Sequence, residues 1–205
     1  MTQAAAGATS AALTPGARVA QRFPEAVLAS LTYRGQETLV IQRDAWAETA
    51  AFLKSDPALT FDVLMDLSCV DYLRFGRSRT SAPTLATPSP LPYYMKPKEN
   101  TEKWARGVSM DDYRFDVVYH FYSSVHNHRL RVRVPLKTAD VKIPTLSDLW
   151  AGANWFEREA WDLFGVVFVG HPNLRRLLLY EEFKGHPLRK DYPITKRQPL
   201  IGPLN

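Results

Sequence analysis

The 205-residue sequence contains a single cysteine, Cys69, which excludes an intramolecular disulfide. One thiol also excludes an iron–sulfur cluster or a cysteine-rich zinc site held by this chain alone, because such sites need several thiolates. Long hydrophobic runs are missing too. The longest apolar stretch, residues 163–170, is far shorter than the roughly twenty residues that cross a bilayer. We therefore expect a chain that does not span a membrane.

Motifs for nucleotide binding and for nucleophilic catalysis are also missing. The sequence contains neither GxGxxG nor GxxxxGK[ST], and it has no GxSxG or HExxH pattern. Five histidines are present, but none of their spacings is typical of a metal site. Residue chemistry alone therefore predicts a domain without a visible active site.

The formal net charge of +5 is concentrated towards the C-terminal end of the chain. Residues 171–205 carry seven basic and three acidic side chains, whereas residues 1–112 carry twelve of each. A basic tail can bind nucleic acid, an anionic membrane or an acidic protein surface, and net charge does not choose among them. Arg129, Arg131 and Arg133 alternate along a predicted strand. A solvated sheet face is the common outcome for such a stripe, with a partner-binding face as the alternative.

The pattern of apolar residues predicts an α+β fold. Two short β-prone runs flank Arg34 and Gly35, which indicates a hairpin, and helical spacing follows from Trp46. Residues 113–123 and 128–134 alternate apolar and polar side chains, as expected for a second hairpin. We expect a two-layer domain with a mixed or antiparallel sheet and flanking helices.

Three segments flank or interrupt this predicted domain, which we place at residues 21–170. Residues 1–20 are rich in alanine, serine and threonine and are expected to form a flexible tail. Residues 74–112 contain five of the fifteen prolines, which disfavours regular structure and indicates an insertion. Residues 171–205 contain prolines throughout, so we expect an extended basic arm that docks on partners.

A helix is predicted to begin at Asn154 and to end at Gly165. Glu157 lies three residues after Asn154, and this spacing fits a capping box. On a helical wheel Glu157 also falls within the apolar arc of the helix. A carboxylate there must be paired or bound by backbone amides, because an unpaired buried charge is costly.

The acidic residues of this helix raise the alternative of a hydrolase with two catalytic carboxylates. Glu157 and Glu159 are two residues apart and point about 160° from one another on a helix, so they do not flank one substrate bond. Arg158, Glu159 and Asp162 are predicted to lie on the polar side of the helix. Ion pairs, including pairs with the basic tail, are the simpler role for them.

Residues 154–193 combine several features in a fixed order and spacing. From residue 157 they run Glu-Arg-Glu, continue with an acid and two apolar residues, and end in Gly-His-Pro-Leu-Arg-Lys-Asp-Tyr-Pro. The residues concerned are Glu157, Arg158, Glu159, Asp162, Leu163, Phe164, His171, Arg175, Leu177, Leu178, His186, Pro187, Arg189, Lys190, Asp191, Tyr192 and Pro193. In this order they closely resemble the signature of the thirty-kilodalton, or C-type, subunit of respiratory complex I.

The resemblance implies a function that the residues alone do not reach. Similar proteins are subunits of the hydrophilic arm of the proton-translocating NADH:quinone oxidoreductase, which passes electrons from NADH through FMN and iron–sulfur clusters to quinone. In that family this subunit has no redox centre. The resemblance therefore implies no catalytic, cofactor-binding or metal-binding residue in this chain, with FMN and the clusters bound by partner subunits.

Partners and location are implied by the same resemblance. The expected partners are the D subunit above all, which forms the quinone site, and then the B and I subunits, with no nucleic acid. Membrane association is expected only through the complex, on the cytoplasmic side of the bacterial inner membrane or, alternatively, on the matrix side of the mitochondrial inner membrane. Membrane-bound hydrogenases and chloroplast-type complexes contain related subunits and are alternative parents. A basic nucleic-acid-binding module is a distant alternative, which salt-dependent binding would reveal.

Overall fold

The computed structural model describes residues 14–73, 113–196 and 198. Their helices and strands, in chain order, are α1 (Pro15–Arg22), β1 (Val27–Tyr33), β2 (Gln36–Ile41), α2 (Trp46–Ser55), β3 (Val63–Asp71), β4 (Tyr113–Ser123), β5 (His128–Lys137), β6 (Lys142–Pro144), α3 (Ala153–Phe164) and β7 (Val167–Val169). A short 3-10 turn, Arg43–Ala45, precedes α2. The predicted insertion of residues 74–112 lies outside the described residues.

Five of the described strands form one mixed sheet. Their order is β1-β2-β5-β4-β3, and every neighbouring pair is antiparallel except β2 and β5, which are parallel. Strands β6 and β7 form a separate two-stranded parallel sheet. The predicted α+β class with a mixed sheet is therefore confirmed.

The three described helices pack on one face of the five-stranded sheet. Buried side chains from α1, α2 and α3 join the inward-facing residues of β2 to β5 in one hydrophobic core. The ring of Trp46 on α2 lies 4.6 Å from that of Tyr119, and Trp150 lies 4.9 Å from Phe121. One helical layer and one sheet layer therefore enclose the core, as expected for a two-layer domain.

Strands β4 and β5 show the alternation that the sequence predicts. The side chains that face the helices are buried: Phe115, Val117, Tyr119, Phe121, Leu130, Val132 and Val134. The arginines between the last three point to the other face of the sheet. Period-two patterning decides this orientation, because successive side chains of a strand point to opposite faces.

The first hairpin also forms where it is predicted. Strands β1 and β2 are joined by Arg34 and Gly35, whose φ angles are 51° and 75°. Positive φ at both central residues is typical of a two-residue turn that matches the right-handed twist of the flanking strands. Gly35 adopts this conformation without steric cost.

The flexible tail predicted for residues 1–20 is too long at its C-terminal end. Residues from Thr14 onward are folded, since Pro15–Arg22 form α1 and Val19 is completely buried. The backbone N–H of Gly16 donates to Oε2 of Glu37 on β2 at 2.8 Å, which fixes α1 on the sheet. Residues 1–13 lie outside the described residues. In the part of the chain that is described, no helix is long and apolar enough to cross a bilayer.

Two neighbouring aromatic residues on β4 test the two faces of the sheet. Phe121 is buried against Trp46, Phe61 and Trp150, whereas Tyr122 lies on the opposite face. Phe121→Ala should lower the free energy of unfolding by about 3–5 kcal/mol, because it leaves a cavity in the core. Tyr122→Ala is the matched control and should cost less than about 1 kcal/mol. Equal losses in chemical denaturation of the two variants would contradict this assignment of faces.

Candidate functional site

Helix α3 carries most of the signature and is bounded differently from the prediction at its start. It begins at Ala153. Its N-cap is Gly152, which has no side chain to accept a hydrogen bond from the first turn of the helix. The predicted capping box of Asn154 and Glu157 is therefore wrong. The predicted end is confirmed, because Gly165 adopts a left-handed conformation with φ 76° and its N–H donates to the carbonyl of Trp161.

Glu157 is completely buried, as its place in the apolar arc predicts, and is bound by a different segment. Its Oε1 accepts the backbone N–H of Leu146 at 2.6 Å, and its Oε2 accepts the Thr145 hydroxyl at 2.5 Å. The carboxyl thus ties α3 to the loop that follows β6. Removal from water raises the pKa of Glu157 to about 7, and the two hydrogen bonds oppose this rise.

Asp162 is completely buried, so the prediction that it lies on the polar surface is wrong. Its Oδ2 accepts three consecutive backbone N–H groups, from Leu177, Leu178 and Leu179, at 3.1, 2.9 and 2.9 Å. Its Oδ1 accepts Nη1 of Arg176 at 2.6 Å. Burial by itself raises the pKa of Asp162, but these donors outweigh it and hold the pKa below its ordinary value. We call this cluster the Asp162 anchor.

Arg158 is likewise buried, where a polar outer side was predicted. Its Nε donates to the carbonyl of Arg175 at 3.2 Å and its Nη2 to that of Arg176 at 3.0 Å. The guanidinium also lies 5.0 Å from the centre of the Trp155 ring. Both predictions fail for one reason: residues 171–196, which follow β7, fold back over this side of α3. We call these residues the returning chain.

Arg176 extends the Asp162 anchor into the returning chain. Besides Asp162, it donates through Nη2 to the carbonyl of Phe183 at 2.5 Å. Its guanidinium lies 5.8 Å from the ring centre of Trp161 and 5.7 Å from that of Phe183. Arg176 thus links Asp162 on α3 to the carbonyls of Phe183 and Gly185, in a segment that contains no helix or strand.

The end of α3 is held by the second half of the returning chain. Nδ1 of His186 lies 2.9 Å from the carbonyl of Asp162, and Nε of Arg189 donates to the carbonyl of Phe164 at 2.5 Å. A cation at this position is favourable, since the C-terminus of a helix is the negative end of its dipole. A Cβ at Gly165 would come within 2.4 Å of Nη2 of Arg189 and 2.6 Å of the His186 ring, so a larger residue would displace the two side chains that hold the end of the helix.

A second ionic cluster joins the returning chain to the sheet. Nη2 of Arg114 donates to Oδ2 of Asp71 at 2.8 Å and to Oδ1 of Asp191 at 2.7 Å. The backbone N–H of Lys190 also donates to Oδ2 of Asp71, at 2.8 Å. Desolvation works against ionisation of Asp71, but these donors keep its pKa low. Residues 71 and 114 flank the predicted insertion, so residues 190 and 191 bind beside the two points where it leaves the sheet.

His171 braces the first bend of the returning chain. Its Nδ1 accepts the backbone N–H of Asn173 at 3.0 Å, and its Nε2 lies 3.1 Å from the carbonyl of Asn154. Because Nδ1 accepts, Nε2 carries the proton and donates to that carbonyl. These two contacts hold the bend at residues 170–172, where Gly170 has a φ angle of 87°.

The expected extended arm differs from what the structure shows. Residues 171–196 contain no helix or strand, yet they pack on α3 and on the sheet. In the predicted extended arm, Arg189, Lys190 and Asp191 are covered only by partner subunits. They are instead bound by α3, Asp71 and Arg114 of the same chain.

Most signature residues are therefore brought together within this chain, and six of the seventeen have exposed side chains. Leu163, Phe164, Leu177, Pro187 and Tyr192 are half-buried on α3 and the returning chain. The exposed ones are Glu159, Arg175, Leu178, Lys190, Asp191 and Pro193.

Comparison with known proteins shows what this arrangement belongs to. The family model for the respiratory-chain NADH dehydrogenase 30 kDa subunit matches residues 39–198, which include the whole of α3 and the Asp162 anchor. The chain belongs to this 30 kDa subunit family.

Curated relatives carry the corresponding name. The C subunit of NADH-quinone oxidoreductase from Cupriavidus pinatubonensis is 40% identical over 162 residues, which are 78% of this chain and 66% of the relative. The protein of the same name from Roseiflexus castenholzii is 35% identical over 178 residues, 87% of this chain and 82% of the relative. The chain thus spans about two thirds of the length of the first relative.

Two solved structures are similar to this family member. A trypsin-resistant fragment of Nqo5 is 31% identical and matches 71% of this chain and 89% of the fragment, with a TM-score of 0.49. A chain of an archaeal membrane-bound sulfane sulfur reductase is 15% identical and matches 87% of this chain and 83% of that chain, with a TM-score of 0.59. The second likeness shows a shared fold.

Sequence reasoning missed several residues that hold the site of this 30 kDa family member. Thr145 and Leu146 bind Glu157, and Asp71 and Arg114 bind Lys190 and Asp191. No local pattern connects these pairs, which lie 11 to 119 residues apart in the chain. Arg176 had a weak signal, a second arginine directly after Arg175. Among the residues described, no group of three or more histidine, cysteine, aspartate or glutamate side chains is arranged to bind a metal ion.

The Asp162 anchor leads to a first test at this site. Asp162→Asn removes the ion pair with Arg176. The amide then places either its N–H₂ group or its one oxygen next to the three backbone N–H groups. We expect a loss of about 3 kcal/mol in the free energy of unfolding, since it leaves a buried cation without its partner. The exposed Glu159→Gln change on the same helix is the control and should stay within about 0.5 kcal/mol. Equal midpoints in urea titrations of both variants would contradict the anchor.

Glu157 leads to a second test, which uses pH. Because the folded-state pKa of Glu157 is raised from 4.5 to about 7, its neutral form stabilises the fold below pH 4.5, and this stabilisation is lost as pH rises towards 7. The difference in unfolding free energy between wild type and Glu157→Gln should fall by on the order of 1–3 kcal/mol over that window. All other titrating groups are shared by wild type and variant, so their contributions cancel in the difference between the two unfolding free energies. A difference that rises with pH would show that the folded-state pKa is lowered.

Proposed function

We propose that this chain is a non-redox structural and assembly subunit of the hydrophilic arm of the proton-translocating NADH:quinone oxidoreductase. The enzyme passes electrons from NADH through FMN and iron–sulfur clusters, which partner subunits bind, to quinone. The chain docks chiefly on the D subunit, with B and I as further neighbours. It is a peripheral subunit on the cytoplasmic side of the bacterial inner membrane. Membership of the 30 kDa family and the names of the curated relatives support this proposal.

One observation carries the docking role. Large apolar side chains are exposed along α3 and the returning chain: Trp155, Leu178, Leu188 and Ile194. Trp155 is 59% and Leu178 61% exposed, although both lie beside buried polar contacts. All four lie on α3 or on the chain that follows β7, and we infer that they share one surface; exposed apolar side chains that share a surface are typical of protein–protein contacts. We call these four residues the C-terminal docking surface.

The buried polar groups hold this surface in one conformation. The Asp162 carboxylate binds the backbone on both sides of Leu178, so the leucine side chain is held outward. Arg158 supports the ring of Trp155 from one side and binds the chain at residues 175–176 from the other. A preorganised surface loses less conformational entropy on binding, which favours a stable contact between subunits.

The charge around the surface also suits a protein partner. Exposed charges of both signs lie in the same segments: Arg175, Lys184, Lys190 and Lys196, and Glu159, Glu181, Glu182 and Asp191. A polar rim that carries both signs is typical of the edge of a protein–protein interface.

The experiment is assembly of surface variants in a cell that lacks the native chain. Leu178→Asp and Leu188→Asp should each reduce recovery of the D subunit with the tagged chain, and NADH:quinone activity of the membranes, at least tenfold. The melting temperature of the isolated chain should be unchanged, because these side chains are exposed. Val125→Asp, in the exposed turn between β4 and β5, is the matched control and should behave as wild type.

Two outcomes would contradict the proposal. Full assembly and activity of both leucine variants would show that the C-terminal docking surface does not bind a partner. Recovery of hydrogenase subunits with the tagged wild-type chain, in place of NADH dehydrogenase subunits, would assign it to a different parent complex.

A further inference from the structure

No helix or strand among the described residues covers the second face of the five-stranded sheet. Side chains on this face form rows that cross β3, β4 and β5, and the register shows which residues share a row. Two rows also reach β2, where their last residues, Thr38 and Val40, are buried. One row is Val63, Tyr122 and Arg129, the next is Asp66, His120, Arg131 and Thr38, and the third is Ser68, Val118, Arg133 and Val40. We call this surface the open sheet face.

The β3 side of the open sheet face is apolar. Val63, Met65 and Val70 all point to this face, and all three are among the exposed large apolar residues of the chain. Among the described strands β3 is an edge strand, since it pairs there with β4 alone. Exposed apolar residues that line one strand on one face form a strip, not isolated sites, and such strips are typical of covered surfaces.

The β5 side of the same face is basic. Arg133 is in an ion pair with Asp116, but Arg129 and Arg131 form no ion pair with a described carboxylate. The guanidinium of Arg129 lies over the Tyr122 ring, and Nε of Arg131 donates to the Thr38 hydroxyl. Two neighbouring guanidinium groups are therefore available to carboxylates from outside the chain.

The distance between the two strips suits one kind of secondary structure. They are separated by β4, and two strand spacings amount to about 10 Å. An α-helix with its side chains is about 10–12 Å across, so a single helix spans both strips. Met65, His120, Arg129 and Arg131 also line a shallow depression of about 280 Å³ between the strips.

We propose that the open sheet face is the docking site for an acidic amphipathic helix of a neighbouring subunit. The helix lies along β4, with its apolar side on Val63, Met65 and Val70 and its carboxylates on Arg129 and Arg131. The statement that the partner is a subunit of the same complex rests on the proposed function. The C-terminal docking surface is built on α3 in the other layer of the domain, so the two surfaces bind different segments.

Nucleic acid fits this face less well than an acidic helix. The apolar strip offers nothing to a phosphate backbone, and Asp66 stands in the same row as Arg131. Burial lowers the pKa of His120, so the positive charge at this face comes from arginines alone. Phosphate binding rests on many cations, whereas a helix with a few carboxylates needs only two.

Accessibility of Met65 in the assembled complex tests the proposal. Met65→Cys provides a thiol for maleimide labelling in a chain whose native Cys69 is buried, and burial also raises the pKa of the Cys69 thiol. Labelling of Met65→Cys, read from the mass of this chain, should be at least tenfold slower in the purified complex than in the isolated chain. Unchanged labelling in the complex would overturn the proposal.

The role of charge is tested in the same background. Adding Arg129→Glu and Arg131→Glu to Met65→Cys should restore labelling in the complex to within threefold of the isolated chain. Lys142→Glu, at an exposed position of β6, is the control for charge reversal and should leave the protection intact. If Met65→Cys stays protected after both arginines are reversed, the proposal that the partner helix is acidic is overturned.

The identity of the occupant is tested by a photo-crosslinking amino acid at position 65 in the complex. A cross-link to an acidic helix of another subunit supports the proposal. A cross-link to residues 74–112 of this chain, to a second copy or to lipid overturns it. Recovery of the D subunit in the same preparation separates the two hypotheses. If the D subunit is absent, the proposed function fails; if it is present while Met65 stays accessible, only this inference fails.

Discussion

The returning C-terminal chain depends on one buried carboxylate. Asp162 accepts three consecutive backbone N–H groups and one guanidinium, all from residues 176–179. An anion out of water is stable only when such donors replace its hydration, so the carboxylate and the chain around it hold each other in place. A segment with no helix or strand thereby gains a single conformation, and Leu178 gains a defined position on the surface.

This dependence changes how the family signature of α3 is understood. Glu157, Arg158 and Asp162 are buried and bind the same chain, each fixing a different segment to the helix. Residues that remain for a partner are the exposed ones beside them, such as Trp155 and Leu178. A charged signature can therefore serve an interface indirectly, because buried ionic contacts shape the surface while apolar side chains supply most of the binding energy.

The two-layer architecture has a consequence for the complex. Helices cover one face of the sheet, and the described residues leave the other face with an apolar strip beside two arginines that have no carboxylate partner among them. Antiparallel sheets tolerate one solvated face, but that face is then usually polar throughout. The mixed character of this one, together with the C-terminal docking surface, fits the proposal that the subunit contacts neighbours on more than one side.

The sequence by itself determined the elements whose signals are local. Alternation along β4 and β5, the turn at Gly35 and the end of α3 at Gly165 follow from the nearest residues, and all are found where predicted. Only the tertiary structure decided that Asp162 is buried and that Glu157 binds Leu146 instead of capping its own helix. A helical wheel assigns an outer side to α3, but it does not show which distant segment will cover that side. Burial and hydrogen bonding between segments depend on the whole chain, and local periodicity does not contain that information.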